Sequence, residues 1–522
     1  MKASSRLMGI ALVLMAAGCQ APDRPLLPLL ALPDETPVQH AFLDGPVAAD
    51  SKHDIVRVQG TKPTDDQGVD IPKSHSAITT CFTHDEIIDL NGVLRLANID
   101  NPTIRLSEAV VSLNRAEQML ARSLLFPNLN AGATLSLHNG PVQNSSGRIF
   151  NTDRDSLYIG GGADARVAGT VPIPGIQLIG DLGEAVFAPR MARQRLASSQ
   201  FDSNATRNNI LLDVATSYLA LVGAEARLLA YRQSEADYAE VARITANFAA
   251  KGQGRESDAQ RARSELLLLQ STAQLVEADV VRAATDLSRL LSLDPSIRLR
   301  PEVAAPPFIQ LVDPETPLET LVETAVAQRP EVAARTIDVN TSQVHLRQEK
   351  MRPFLPKIVL GASTGNFGGG ADVVGYRFSH FNFRADYDAM AFWTLQNLGV
   401  GNRALQNQAR SQIGEAEAVR LRVINLVQAE VAEALARTKA SRLQMDIARR
   451  RVETSQRGFK QDLTRALNKE GRPIEVLNSI NLLTFARQDF VASLVEYSQA
   501  QFHLYVALGG MPGTSQPEPA HP

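Results

Sequence analysis

From Phe381 to Leu395 the chain reads FNFRADYDAMAFWTL, and its two parities differ sharply. The odd positions carry Phe, Phe, Ala, Tyr, Ala, Ala, Trp and Leu, while the even ones begin Asn382, Arg384, Asp386, Asp388. Period-two alternation marks a strand with a different environment on each face. An ordinary strand is about 5–6 residues long, and this run extends over 15. A soluble sheet and a membrane strand, which needs about 9–11 residues at a tilt, both fit this run taken alone. Phe383 and Trp393 share a face ten residues apart, about 33 Å along a strand. A tilt of ~40° projects that to roughly 25 Å, the height of the apolar band of an outer-membrane barrel between its aromatic rims.

The same alternation occurs in four places. Leu129, Ala131, Ala133, Leu135 and Leu137 are apolar, with Asn130, Gly132, Thr134 and Ser136 between them and His138 after. Leu157, Ile159, Ala163, Ala165 and Val167 share a second face, with Asp164 and Arg166 opposite, and a third run passes through Ile358, Leu360 and Ala362. The expected strands are 128–138, 156–168, 357–366 and 381–395, with Gly-, Asn- and Ser-rich loops at 139–155 and 365–380. A Pro-bounded helix precedes each pair, from Pro102 to Pro127 and from Pro330 to Pro356. A very long helix follows each pair, because no proline occurs from Arg190 to Asp294 or from Lys357 to Arg472. The stretches 189–250 and 402–468 would each measure roughly 90–100 Å at 1.5 Å per residue. Each turns at a Gly-containing tip, KGQGRE (251–256) and KEGRP (469–473), and returns as a shorter helix, 256–293 and 474–508. Thr83-His-Asp-Glu86 has the form of a capping box opening a further helix up to Asn98. The unit helix, strand, strand, long helix, return helix is therefore written twice, over 83–310 and 311–510, with a disordered tail expected at 511–522.

The chain start favours the membrane alternative. In MKASSRLMGIALVLMAAGC, Lys2 and Arg6 precede a short apolar core, which predicts a secretory signal peptide over 1–18. The ending Ala16-Ala17-Gly18-Cys19 resembles a bacterial lipobox, which implies cleavage before Cys19 and lipid on it. Residues 20–80 carry eight prolines and no helical period, so 19–82 reads as a lipidated tether and wrapping segment. Cys81 is the other cysteine, so no disulfide is expected.

Open sheet edges leave unpaired N–H and C=O groups in lipid, so a membrane sheet must close. Four strands are too few, since bacterial barrels begin at about eight. Copies of the same chain must supply the rest, and symmetric rings are the usual solution.

The duplicated unit, the lipobox and the phrases NLGVGNRALQNQAR, GRPIEVLNSINLLTFARQDFVASLVEYSQAQFHLYVALGG and GRESDAQRARSELLLLQSTAQLVEADVVRAATDLSRLLSLDP resemble the outer-membrane efflux (TolC-like) family over about 83–510. The resemblance implies a mainly α fold with transmembrane β: a homotrimer with a twelve-stranded outer-membrane β-barrel above a periplasmic α-barrel of long helical hairpins. It implies a passive exit duct for efflux or type I secretion, served by a periplasmic adaptor (membrane-fusion) protein and an inner-membrane pump. It places adaptor docking at the tips, Gly252, Gln253, Gly254 and Arg255 in one hairpin and Gly471, Arg472 and Pro473 in the other. Glu475 and Asn478 fall where relatives carry two acidic rings at the periplasmic aperture, and Asn478 departs from that pattern. Asp258 and Arg472 fall near positions that link neighbouring hairpins when closed. Asp164, Arg166, Asn382, Arg384, Asp386 and Asp388 would face the barrel lumen.

No catalytic or metal constellation competes with this. The chain has no HExxH, CxxC or GxxxxGK[ST], and Gly160–Gly162 and Gly368–Gly370 lack the Lys-Ser/Thr of a phosphate loop. No enzyme, cofactor, metal or nucleic-acid role is expected, and the net charge of −3 lies in no long block. The alternative is a periplasmic coiled-coil scaffold without a pore.

Overall fold

The computed structural model describes residues 83–163, 173–370, 381–468 and 470–513. The first repeat contains β1 (His84–Ile88), α1 (Leu90–Asp100), α2 (Pro102–Ser123), β2 (Asn128–Leu129), β3 (Ala131–Gln143), β4 (Ile149–Ala163), β5 (Ile173–Pro174), β6 (Ile176–Asp181), α3 (Leu182–Ala250), α4 (Glu256–Leu291) and β7 (Ile297–Pro301). The second contains α5 (Leu318–Gln328), α6 (Pro330–Met351), β8 (Lys357–Gly370), β9 (Asn382–Phe392), α7 (Val400–Leu467) and α8 (Pro473–Ala507).

The helices form a wall of four columns. α3 and α7, of 69 and 68 residues, are each about 100 Å long. α3 starts at Leu182 rather than 189 because the Asp181 carboxylate accepts from the Gly183 and Glu184 amides, capping the helix ahead of Pro189. The other two columns are made of helices stacked end to end. Asn101 caps α2 by accepting from the Thr103 and Ile104 amides, and its own amide donates to Leu290 O in the last turn of α4 at 2.8 Å. In the second repeat, α8 ends at Gly509 in the left-handed region (φ 91°), packed so closely on Gln328 and Arg329 that a Cβ would lie 3.0 Å from the Gln328 carbonyl carbon. Arg329 is the residue before α6, so α8 stops where α6 begins. Neighbouring helices run α2–α3–α6–α7 at the strand end and α4–α3–α8–α7 at the hairpin end.

The largest core lies at mid-height. Val93, Leu94 and Ala97 of α1 pack on Leu211, Val214, Ala215 and Tyr218 of α3, with Val280, Leu287, Leu299 and Phe502 around them. α3 contains an 18-residue window of membrane-like hydropathy, but 56 % of it is buried inside the fold, so its apolarity is used between helices. The segment between the repeats is fastened to α8: Gln501 Oε1 accepts from the Leu311 and Val312 amides, Ser498 donates to Pro307 O, and Phe308 stacks on Tyr497 at 5.1 Å.

Two expectations at the ends of the fold are overturned. Thr83–Glu86 is no capping box. His84–Ile88 pairs in parallel with Ile297–Pro301, and the helix begins only after Asp89, which accepts from the Gly92 amide. The β-branched pair Ile87-Ile88 gains a strand partner 213 residues away, from Thr83 N to Ser296 O, which local reading cannot see. At the other end, Met511 packs against the main core and Pro512 is buried, so the ordered fold runs past 510.

The main sheet is antiparallel. Hairpin β3–β4 joins hairpin β8–β9 through β8, whose inner edge pairs with β4 over Thr364–Gly370 and with β6 over Lys357–Ala362. The order is β3–β4–β8–β9, and among the described residues no strand pairs with the outer edge of β3 or of β9. The strands of 13, 15, 14 and 11 residues exceed expectation in the first three cases. The expected loop 139–155 shrinks to a tight turn, in which Asn144 accepts from Gly147 N and its side chain accepts from the Ser146 and Arg148 amides. The upper parts of these strands mix Gly, Pro and polar residues with single apolar ones such as Val142, Ile149, Phe150 and Phe367, so no regular alternation marks them.

Candidate functional site: an inside-out sheet above two matched hairpin tips

The sheet wears its apolar residues outward. Along β3 the odd positions are exposed and the even ones half-buried; Leu135 is 57 % exposed. On β9, Phe383 is 72 % and Tyr387 77 % exposed. In water such a face is an aggregation surface; in lipid it is the required one. On β3 the outward face turns polar after Leu137, at Asn139. Trp393 stands just below β9, largely exposed, with Nε1 donating to Phe354 O at 3.2 Å. Phe126 and Phe354, which end the corresponding helices of the two repeats, are also largely exposed at this level. An amphipathic ring system there matches the interfacial position of aromatic girdles.

The opposite face carries the predicted polar positions of β9. Arg384 and Asp386 are half-buried and joined, Nε to Oδ2 at 2.8 Å, and the guanidinium lies 5.4 Å from the Phe367 ring centre. Asn382 and Asp388 share that face and are exposed, with Asp388 opposite Gly361. Tyr158 lies on the same side, buried over Gly365, its hydroxyl donating to Gly161 O at 2.7 Å. Asp164 and Arg166, like Cys19, lie outside the described residues.

Below β9 the chain enters α7 through Asn397, Leu398 and Gly399, all left-handed (φ 47°, 57° and 92°), with Asn402 accepting from the Gln396 amide. Leu398 is 92 % exposed in a conformation that β-carbon sterics oppose. The Leu398-Gly399 pair is matched in the first repeat by Leu182-Gly183, where Leu182 is an ordinary first helical residue.

The two tips are built alike. The Gln253 and Gly254 amides donate to Phe248 O, at 3.0 and 3.1 Å; the Glu470 and Gly471 amides donate to Arg465 O, at 2.9 and 3.2 Å. A Cβ on either Gly254 or Gly471 would lie 3.2 Å from the preceding helix's Phe248 or Arg465 Cβ, a tight approach that is matched in the two tips. Arg255 and Arg472 follow in extended conformation, and Asp258 N and Glu475 N donate to their carbonyls. Asp258 and Glu475 are thus equivalent, and Asn478 stands where the first hairpin has Arg261. Gly252, Gln253, Arg255 and Arg472 are exposed, and Pro473 opens α8. Glu475 lies 4.0 Å from Arg465 of its own hairpin.

Contacts between the hairpins were not foreseen. Tyr238 of α3 is 2 % exposed and donates to Asn481 of α8 at 2.5 Å, and burial pushes its hydroxyl pKa far upward. Nearby Arg487 of α8 pairs with Asp237 at 2.9 Å. Nothing local in the sequence links residues about 250 positions apart.

Comparison with known proteins decides the fold. Residues 93–292 match the family described as outer membrane efflux protein. This is the TolC-like fold of outer membrane efflux proteins. Among solved structures, a membrane protein from Pseudomonas aeruginosa is 20 % identical with TM-score 0.67, covering 86 % of this chain and 99 % of that one. The outer membrane protein VceC of Vibrio cholerae is 15 % identical with TM-score 0.65, covering 81 % and 96 %. The open state of the MtrE outer membrane channel of Neisseria gonorrhoeae is 16 % identical with TM-score 0.61, covering 86 % and 97 %. No curated protein sequence matches the chain. The TolC-like fold accounts for the mainly helical architecture, the paired hairpins and the four long strands.

Proposed function

We propose that three copies of this chain close a twelve-stranded barrel in the outer membrane above a helical duct, a passive exit for an efflux or type I secretion system. The observation that carries this is the open sheet: its apolar side faces outward, and β3 and β9 each keep an outer edge without a partner strand among the described residues. Lipid tolerates neither a free edge nor an isolated four-stranded sheet. The helical wall repeats the pattern, with Leu113 and Leu120 of α2 and Leu268 and Leu275 of α4 exposed on one outer column, and Leu421, Leu443 and Ile447 of α7 on the other. One neighbouring copy at each side would bury both sets.

Cys19 would anchor the chain to the membrane through lipid, and the six tips of the trimer would meet a periplasmic adaptor and, through it, an inner-membrane pump. Asp258 and Glu475 would ring the periplasmic mouth and favour cations. Reconstitution tests the reading. Detergent-extracted protein should migrate as a heat-sensitive trimer and conduct in planar bilayers. A folded monomer that stays in buffer without detergent would favour the scaffold instead.

A further inference from the structure

At the place where α8 stops against α6, a cleft of about 580 Å³ opens between α3 and α7. Its apolar lining, which serves as a floor, includes Leu212, Val423, Val427, Ala434 and Val506, together with the more than half exposed Leu426. Its charged and titratable lining is Arg329, which is buried, with Glu331, Glu430, Glu433, Arg437 and His503. All of these belong to one chain, so the cleft does not depend on a neighbouring copy.

The cleft is turned away from the outer helices. On α3, Leu211 and Ala215 share a core with α1; on α7, Val431 and Leu435 share one with α5. At 3.6 residues per turn, Glu430 and Glu433 lie about 100–160° round α7 from Val431 and Leu435, and Leu212 lies about 60–100° round α3 from Leu211 and Ala215, at the border of the α1 core. In a tube with an open bore, α1 and α5 must lie outside, so the cleft looks into the bore. This step rests on the proposed duct.

The charges are unequally matched. Arg329 is clasped by Glu430 and Glu331, and Arg437 binds Glu496 at 2.7 Å. Burial, then Arg437, lowers the pKa of His503, which keeps it neutral near pH 7. Glu433 makes no hydrogen bond among the described residues, and its cationic neighbour Arg437 is already committed to Glu496. Three carboxylates, Glu331, Glu430 and Glu433, thus face two guanidiniums in the cleft, and one of those guanidiniums, Arg437, is already paired with Glu496. Pockets of about 300–1,000 Å³ suit drug-sized molecules.

We propose that this cleft is a transient binding site in the bore for amphiphilic organic cations, the apolar body lying on Leu212 and Leu426 and the cationic nitrogen beside Glu433. An anion of similar size would meet surplus negative charge.

The test uses the full-length protein in detergent, with ethidium as the cationic probe and fluorescein as an anionic one of comparable size. Saturable ethidium binding is expected, weakened at least fivefold by Glu433→Gln and by Leu212→Trp, which fills the floor; fluorescein binding should be far weaker and unmoved. Glu433 is exposed, so its replacement leaves packing intact. The same preparations are assayed for trimer mass and bilayer conductance. A conducting trimer whose ethidium affinity changes less than twofold in both variants overturns the cleft and leaves the duct standing. A preparation that neither assembles nor conducts overturns the duct, and the bore location with it.

Discussion

Replacing Leu135 by Arg separates the membrane reading from any aqueous one. Leu135 is on the outward face of β3 and more than half exposed. On a water-facing surface such a change stays within about 0.5 kcal/mol. The outward apolar run spans Leu129 to Leu137, so its middle is Ala133. Leu135 then lies about 7 Å along the strand from the midplane, roughly 5 Å in height at a tilt of ~40°. An Arg costs about 2–4 kcal/mol at the midplane and about 0–1 near the interface, so at that depth it costs about 1–3 kcal/mol per chain, or about 3–9 kcal/mol for a ring of three. Ser136→Arg is the control, because Ser136 faces inward opposite Ser156. The assay is denaturant unfolding of protein refolded into liposomes, with heat-modifiable trimer in outer-membrane fractions as the cellular readout. Leu135→Arg should lose most of the trimer and Ser136→Arg little. Equal behaviour of the two would refute the assignment of faces.

Asn101→Ala removes the cap of α2 and its bond to α4, and should cost about 1–2 kcal/mol of stability in denaturant titration. Acidification should destabilise the helical wall through His503. Its folded pKa is lowered, so the unfolded chain takes up a proton first as pH falls below 6.5, and stability drops there. Asp213 acts oppositely and at lower pH, since burial raises its pKa above 3.8 and its contribution is lost as pH rises. His503→Gln should therefore show a smaller fall in melting temperature between pH 7.5 and 5 than the unaltered chain. Glu475→Gln should reduce the cation preference of the reconstituted pore, read as a shift in reversal potential under a salt gradient; an unchanged potential removes Glu475 from the conduction path.

The sequence displayed what depends on local periodicity. Strand faces followed from parity wherever one side is apolar and the other polar, as between Leu129 and Leu137, and helix length followed from missing proline. The same rule clipped β3, β4 and β8, because their upper parts interleave Gly, Pro and polar residues with isolated apolar ones such as Val142, Phe150 and Phe367 and keep no alternation. Long-range partners were out of reach: β7 turned 84–88 from an expected helix start into a strand, and Tyr238–Asn481 joins hairpins far apart in sequence. The tips were located by their glycines, but the equivalence of Asp258 and Glu475 needed the matching amide bonds to Phe248 O and Arg465 O.

The claim on which the account rests is that β3 of one chain pairs with β9 of another. Cysteine pairs placed along these two edges, in a chain with Cys81 replaced by Ser, measure it directly. Oxidation in membranes should give covalent dimers and a trimer, with efficient positions recurring every second residue. Monomer at every pair, from protein that is folded and membrane-inserted, would contradict it.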